Sequence, residues 1–138
     1  MSSELVGAWR LVSCEMRRER GQVWYIYDAG YLIYSATGHM AVVLMQTDTA
    51  PFASGDIRRA TTEEKTGAFD AIISYAGTYE VKENMLYHHV EVSSFPNWVG
   101  ETLERTITIT KDRITISTAP TLINGEKQTA HLIFERAG

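Results

Sequence analysis

The segment Tyr87-His88-His89-Val90-Glu91-Val92-Ser93 sets two imidazoles and a carboxylate close together, the side chains best suited to moving protons near neutral pH. If the segment is a strand, alternation places His89, Glu91 and Ser93 on one face and His88, Val90 and Val92 on the other. Further along, Leu103, Arg105, Ile107 and Ile109 share one face, opposed to Thr102, Glu104, Thr106 and Thr108. The apolar face, carrying Arg105, is expected to point inward. Two registers are open between these strands. In one, Glu91 faces Arg105 and His89 faces Ile107, so a polar cluster sits inside the fold. In the other, Val90 faces Arg105 and Glu91 opposes Glu104. Unlike charges placed directly opposite stabilise by roughly 0.2 to 1 kcal/mol and like charges destabilise, which favours the first.

An inward arginine stays charged and requires an acceptor. Either Glu91 supplies it as a structural ion pair, or the guanidinium anchors a ligand carboxylate, enolate or polarised carbonyl. Arg105, His89 and Glu91 are therefore the candidate catalytic residues. Other chemistries lack their residues. His88 and His89 are adjacent and point oppositely on a strand, and neither a Cys cluster nor an HExxH helix is present, so no metal site is expected. No glycine-rich phosphate loop, Ser-His-Asp order or nucleophile elbow occurs, and Cys14 lies mid-strand without a local charge partner. The expected chemistry needs no cofactor.

These residues depend on a mostly β framework. Period-two alternation between turn residues marks strands at Leu5–Glu19, Gln22–Tyr27, Gly30–Ser35, His39–Gln46, Gly77–Lys82, Leu86–Ser94, Glu101–Thr110, Arg113–Thr118 and Gln128–Arg136. The Ser35-Ala36-Thr37-Gly38 turn pairs Ser35 with His39, putting Leu32 and Tyr34 on the same face as Met40, Val42 and Leu44. Residues 47–60 break the pattern and read as a loop. Thr61 and Glu64 form a capping box, after which Ala68, Phe69, Ile72, Ile73 and Ala76 recur at helical spacing, predicting one helix near 62–75, weakened by Gly67. Sequential antiparallel strands in a short chain favour closure, which removes exposed edges. The fold class is thus all-β, a closed antiparallel up-and-down β-barrel of about eight to nine strands, as one domain over 1–138.

Gly7-Ala8-Trp9 near the start of the first strand matches the Gly-x-Trp signature of lipocalins and their calycin relatives, with Arg136 placed to pack across the tryptophan. With GYLIYSATGHM, LMQTDTAPFAS, YAGTYEV, HHVEVSSFPNWVG and LIFER, nearly the whole chain resembles the small single-domain lipocalin-like barrel family. The resemblance implies a barrel around a cavity, with Gly7, Trp9 and Arg136 as its structural signature. It also implies either of two uses, since related barrels include carriers and cofactor-free cyclases.

A cavity would be walled by Tyr34, Met40, Val42, Leu44, Tyr79, Leu103 and Ile107, with Ser93, Asn97 and Trp98 near one end. Tyrosine offers apolar surface with one polar tip, and methionine an adaptable wall. The ligand is expected to be a small apolar or aromatic organic molecule. The leading reading is a cofactor-independent cyclase or isomerase of polyketide- or terpenoid-like secondary metabolism; the alternative is a non-catalytic carrier or sensor. The 138 residues carry 13 Lys plus Arg against 17 Asp plus Glu, a net charge of −4. With no basic stripe, nucleic acid is not expected. No apolar run approaches the ~20 residues of a membrane span. The opening MSSELVGAW is unlike a signal peptide, and a single cysteine suits a reducing compartment, so a soluble cytoplasmic protein is expected. Outward Ile33, Val43 and Val92 predict a homodimer.

Overall fold

A computed structural model describes residues 2–138, with side chains from residue 4 onward. A helical turn α1 (Ser2–Leu5) leads into β1 (Gly7–Arg18), β2 (Val23–Tyr25), β3 (Ala29–Tyr34) and β4 (His39–Met45). After the 46–61 connection come α2 (Thr62–Asp70), β5 (Ile72–Lys82) and β6 (Met85–Ser93). A 3-10 turn at Pro96–Trp98 precedes β7 (Thr102–Ile109), β8 (Arg113–Thr118), β9 (Thr121–Ile123) and β10 (Glu126–Arg136). Neighbouring strands are antiparallel, and β1 also pairs with β10, closing an eight-strand barrel from β1, β3 to β8 and β10. The two short strands extend it: β2 continues the β1 edge beyond β3, and β9 continues the β10 edge beyond β8.

The expected pairing across the Ser35–Gly38 turn is present. Ser35 N donates to His39 O at 2.8 Å, Gly38 has φ +89°, and Tyr34 and Leu32 lie opposite Met40 and Val42. The capping box is present too: Thr61 Oγ1 accepts from Glu64 N at 3.0 Å and Glu64 Oε1 accepts from Thr61 N at 2.9 Å.

The helix stops at Asp70, short of the predicted 75. Ile72, Ile73 and Ala76 belong to β5, whose alternation Ile73, Tyr75, Gly77, Tyr79 overrides their helical spacing. β-Branched pairs favour the pleated surface, and β4 supplies a full-length partner, with Met45 opposite Ile72. Likewise β9, formed on the short hairpin ahead of Asn124-Gly125, was not expected from its three residues.

Two bulges reset side-chain parity. On β1, Leu11 pairs with Phe134 and Ser13 with Ile133, leaving Val12 as the extra residue. Trp9 and Leu11 point inward before it, Cys14 and Met16 after it. On β6, Val90 pairs with Gly77 and Val92 with Ala76, so Glu91 is the extra residue. The close approach there requires glycine, since a Cβ on Gly77 would run into the His89 carbonyl oxygen.

Neither register considered between β6 and β7 occurs. Arg105 lies opposite Leu86, Leu103 opposite His88 and Thr102 opposite His89. The ladder already ends at Val90, whose N donates to Glu101 O at 2.9 Å, so the connection spans about ten residues rather than the six of Phe95 to Gly100. Opposed charges decided nothing here, because Glu91 lies beyond the end of the β6–β7 ladder.

Candidate functional site: a half-filled barrel

The inward faces of the strands meet at two levels. At the end carrying the Ser35–Gly38 and Lys82–Asn84 turns, Trp9, Tyr34, Leu86, Ile114 and Phe134 are almost wholly buried and fill the barrel. Trp9 Nε1 donates to Leu5 O at 2.9 Å. The Arg136 guanidinium carbon lies 4.0 Å from the Trp9 ring centroid, and its nitrogens donate to Val6 O and Glu4 O at 3.0 and 2.7 Å. Trp9 and Arg136 thus seal this end, the packing implied by the Gly-x-Trp resemblance. Gly7, at φ +132°, leaves room for the guanidinium, which a Cβ would approach to 3.0 Å.

Toward the other end the interior is hollow. A cavity of about 500 Å³ is walled by residues of every strand but β6 and by Phe69 and Asp70 of α2. Its lining is mainly apolar: Met16, Leu44, Ile116 and Leu132 on the walls, with Trp24, Tyr27, Phe95 and Trp98 toward the mouth. Trp24 is held by a 2.6 Å hydrogen bond to Gln128 Oε1, whose amide in turn donates to Ile123 O. Trp98 packs edge-on against both Tyr75 and Phe95. Burial pushes the Cys14 thiol up to about 12, which leaves it a protonated, unreactive part of the wall.

Where the filled and hollow halves meet, three buried side chains form a chain. Tyr34 Oη lies 2.7 Å from His88 Nε2, and Tyr75 Oη lies 2.7 Å from His88 Nδ1. Burial, with Arg105 and then His89 adding to it, lowers the His88 pKa to about 3, so its imidazole is neutral and carries one ring proton. Tyr34 is buried, has no other hydrogen-bond partner among the described residues and does not line the cavity. Were His88 to donate to Tyr34, the Tyr34 proton would be stranded, at about 1–3 kcal/mol. Tyr34 therefore donates to Nε2, and Nδ1–H donates to Tyr75. Burial raises the Tyr75 pKa, while the charge and hydrogen-bonding approach of Arg105 pull it partly back. Both tyrosines remain phenols.

Arg105, half-buried on β7, lines the cavity. Among the described residues no carboxylate lies within ion-pair distance of it. Glu91, weighed as its partner, is exposed on the outer wall. His89 also faces outward, with Nε2 2.7 Å from Glu80 Oε2 and Nδ1 2.9 Å from Thr102 Oγ1. Of the other singled-out residues, Val42, Leu44 and Trp98 line the cavity. Met40, Tyr79 and Ile107 are buried in the core but line no part of it. Leu103 packs against the core, Ser93 Oγ accepts from Phe95 N at 3.0 Å, and Asn97 is exposed on the 3-10 turn. His88 and Tyr75 were missed as site residues. The first was assigned to the outer face and the second to a helix, although Tyr75-x-Gly77-x-Tyr79 carries a strand signal of its own.

The model of a lipocalin-like domain matches residues 6–137. The chain belongs to the lipocalin-like domain family. Within reach of this lipocalin-like protein is a curated relative from Aspergillus oryzae (strain ATCC 42149 / RIB 40), named 4'-hydroxy-3'-methoxypropiophenone carrier protein. It is 29% identical over 106 residues, covering 70% of this chain and 96% of the relative. Among solved structures, a lipocalin-like protein from Bacteroides uniformis ATCC 8492 superposes with a TM-score of 0.53, over 96% of this chain and 98% of that one. At 11% identity this likeness concerns the fold alone.

Proposed function

We propose that this lipocalin-like barrel carries one small, mainly apolar organic molecule in its hollow half. The supporting observation is the cavity itself: about 500 Å³, within the roughly 300–1,000 Å³ usual for small-molecule sites, and walled mostly by apolar side chains with a few polar ones. The carrier name of the Aspergillus relative favours carriage and suggests an aromatic ligand of secondary metabolism. Native mass spectrometry of freshly purified protein tests this. One small-molecule adduct per barrel, released by organic solvent, is expected, and a barrel that neither arrives loaded nor takes up any aromatic compound would oppose it.

A second reading, a cofactor-independent cyclase or isomerase, draws on the Tyr34–His88–Tyr75 chain beside Arg105, which would polarise a ligand oxygen. In this reading Tyr75 and Arg105 take the polarising role, because His89 and Glu91 lie outside the cavity. Turnover of a bound ketone, read as deuterium uptake at its α-carbon above the rate in buffer, would favour it.

Homodimerisation is kept as a further proposal. Tyr31 opposes Val43 and Ile33 opposes Ala41, and Ala41 leads through Ala76 to Val92, giving an outward apolar row over four strands. A dimer by light scattering at micromolar concentration is expected; a monomer would remove it. The cytoplasmic setting is likewise proposed, from the lone cysteine. Among the described residues no helix is long and apolar enough to cross a membrane.

A further inference from the structure

We infer that Tyr75 and Arg105 form a carbonyl-recognition site at the floor of the cavity, aimed by the His88 tautomer. The inference rests on the cavity being a ligand site. Tyr34, enclosed in the filled half, has among the described residues only His88 Nε2 to receive its proton. That fixes the ring proton on Nδ1, where it is donated to Tyr75 Oη. A phenol oxygen already accepting from the imidazole still has its own O–H to place, and Tyr75 lines the cavity whereas Tyr34 and His88 do not. Arg105 lines the same wall, approaches the same hydroxyl, and has no carboxylate partner among the described residues. Two donors thus converge on one region of an otherwise apolar chamber. The matching ligand group is an oxygen that only accepts, a carbonyl on an apolar skeleton, and a hydrocarbon of the same shape leaves both donors unanswered.

Tyr34 takes no part in contact with the ligand. It is a positioning residue, which sets the direction of donation through the imidazole.

The test compares 2-acetonaphthone with 2-ethylnaphthalene, which share a skeleton and differ in the carbonyl oxygen, titrated against the fluorescence of Trp24 and Trp98 at the cavity. In Tyr75→Phe the ketone should bind about tenfold more weakly relative to the hydrocarbon than in wild type, the size of one well-placed hydrogen bond with a charged neighbour, while hydrocarbon affinity holds. Tyr34→Phe, which touches no ligand, should lower the same ratio by a smaller factor, because the tautomer is no longer pinned. Nitrogen-15 NMR of wild-type His88 supplies a readout independent of any ligand: Nδ1 should be the protonated nitrogen and Nε2 the bare one. An Nε2–H tautomer, or an unchanged ketone-to-hydrocarbon ratio in a folded Tyr75→Phe protein, would overturn the inference. Binding of the hydrocarbon with no ketone preference would defeat this site alone, whereas failure of both compounds to bind wild type would defeat the cavity reading beneath it.

Discussion

The two halves of the barrel use the same strands for opposite ends. In the filled half, large side chains from facing strands close on Trp9, and Arg136 lies across the indole with its nitrogens satisfied by backbone carbonyls. In the hollow half the same strands present Leu44, Cys14, Ala130 and Leu132, which do not meet across the interior, and the strand edges are continued by β2 and β9 around a mouth. The contrast separates the packed end, which supplies stability, from the end proposed to hold a ligand. Packing density concentrates at one end, and the void at the other is tolerated because apolar walls need no water and no hydrogen-bond partners.

The strongest way to break this comparison is to cut into the filled half. Trp9→Ala should cost about 3–5 kcal/mol, read from chemical denaturation, and leave the Arg136 guanidinium without its ring. Leu44→Ala, at a side chain that borders the cavity rather than close-packed neighbours on every side, should cost clearly less than the same truncation at fully buried Leu86, for which about 2–5 kcal/mol is expected. Equal losses at Leu44 and Leu86 would mean that the two halves are packed alike.

The boundary between the halves gives a pH signature. The folded His88 pKa of about 3 lies below its ordinary 6.5, so an unfolded chain takes up a proton that the native one refuses. This contribution to stability is complete above pH 6.5 and is lost progressively as pH falls toward 3, by about 1.4 kcal/mol per pH unit. Subtracting the stability profile of His88→Gln from that of wild type isolates the slope from other titrating groups. A difference profile that is flat from pH 6.5 to 5 would show that His88 is not held neutral.

Period-two reading found the inward faces of most strands, inverted that of β6, and missed their depth. Tyr34, Met40, Val42, Leu44, Tyr79, Arg105 and Ile107 do point into the barrel, yet only Val42, Leu44 and Arg105 of these reach the cavity. Alternation distinguishes inside from outside but carries no information about level along the axis, which depends on strand tilt and register. His89 and Glu91 were placed inside by pairing Glu91 with an inward Arg105, whereas the inward residues of β6 are Leu86, His88 and Val90, and Arg105 lies opposite Leu86. Tyr75 was hidden by Ile72 and Ile73, whose spacing suits a helix and whose β-branching suits the strand they form. Local signals with their own chemistry, the Thr61 to Glu64 capping box and the Ser35 to Gly38 turn, were legible because they depend on no distant partner.

The capping box sharpens the comparison at its mildest point, the mouth. Glu64 caps Thr61 and also accepts from Ala53 N at 3.0 Å, tying the 46–61 connection to α2 beside the opening. Thr61→Ala should cost about 1 kcal/mol and raise hydrogen exchange at Ala53 and Glu64, while exchange around Trp9 stays unchanged. Loss of protection at Trp9 would mean that the mouth and the sealed end unfold together.

The central claim, that the hollow half is a binding chamber, is tested most directly by filling it. Ala130 lies on β10 on the cavity wall, and the larger side chain of Ala130→Phe would project into the cavity. Titration of 2-acetonaphthone into wild type and Ala130→Phe, followed by tryptophan fluorescence, should give one site per wild-type barrel. In the variant, affinity should fall at least tenfold with thermal stability held or raised. Equal affinity in a folded Ala130→Phe protein would contradict the account, because the ligand would then be binding somewhere other than the barrel interior.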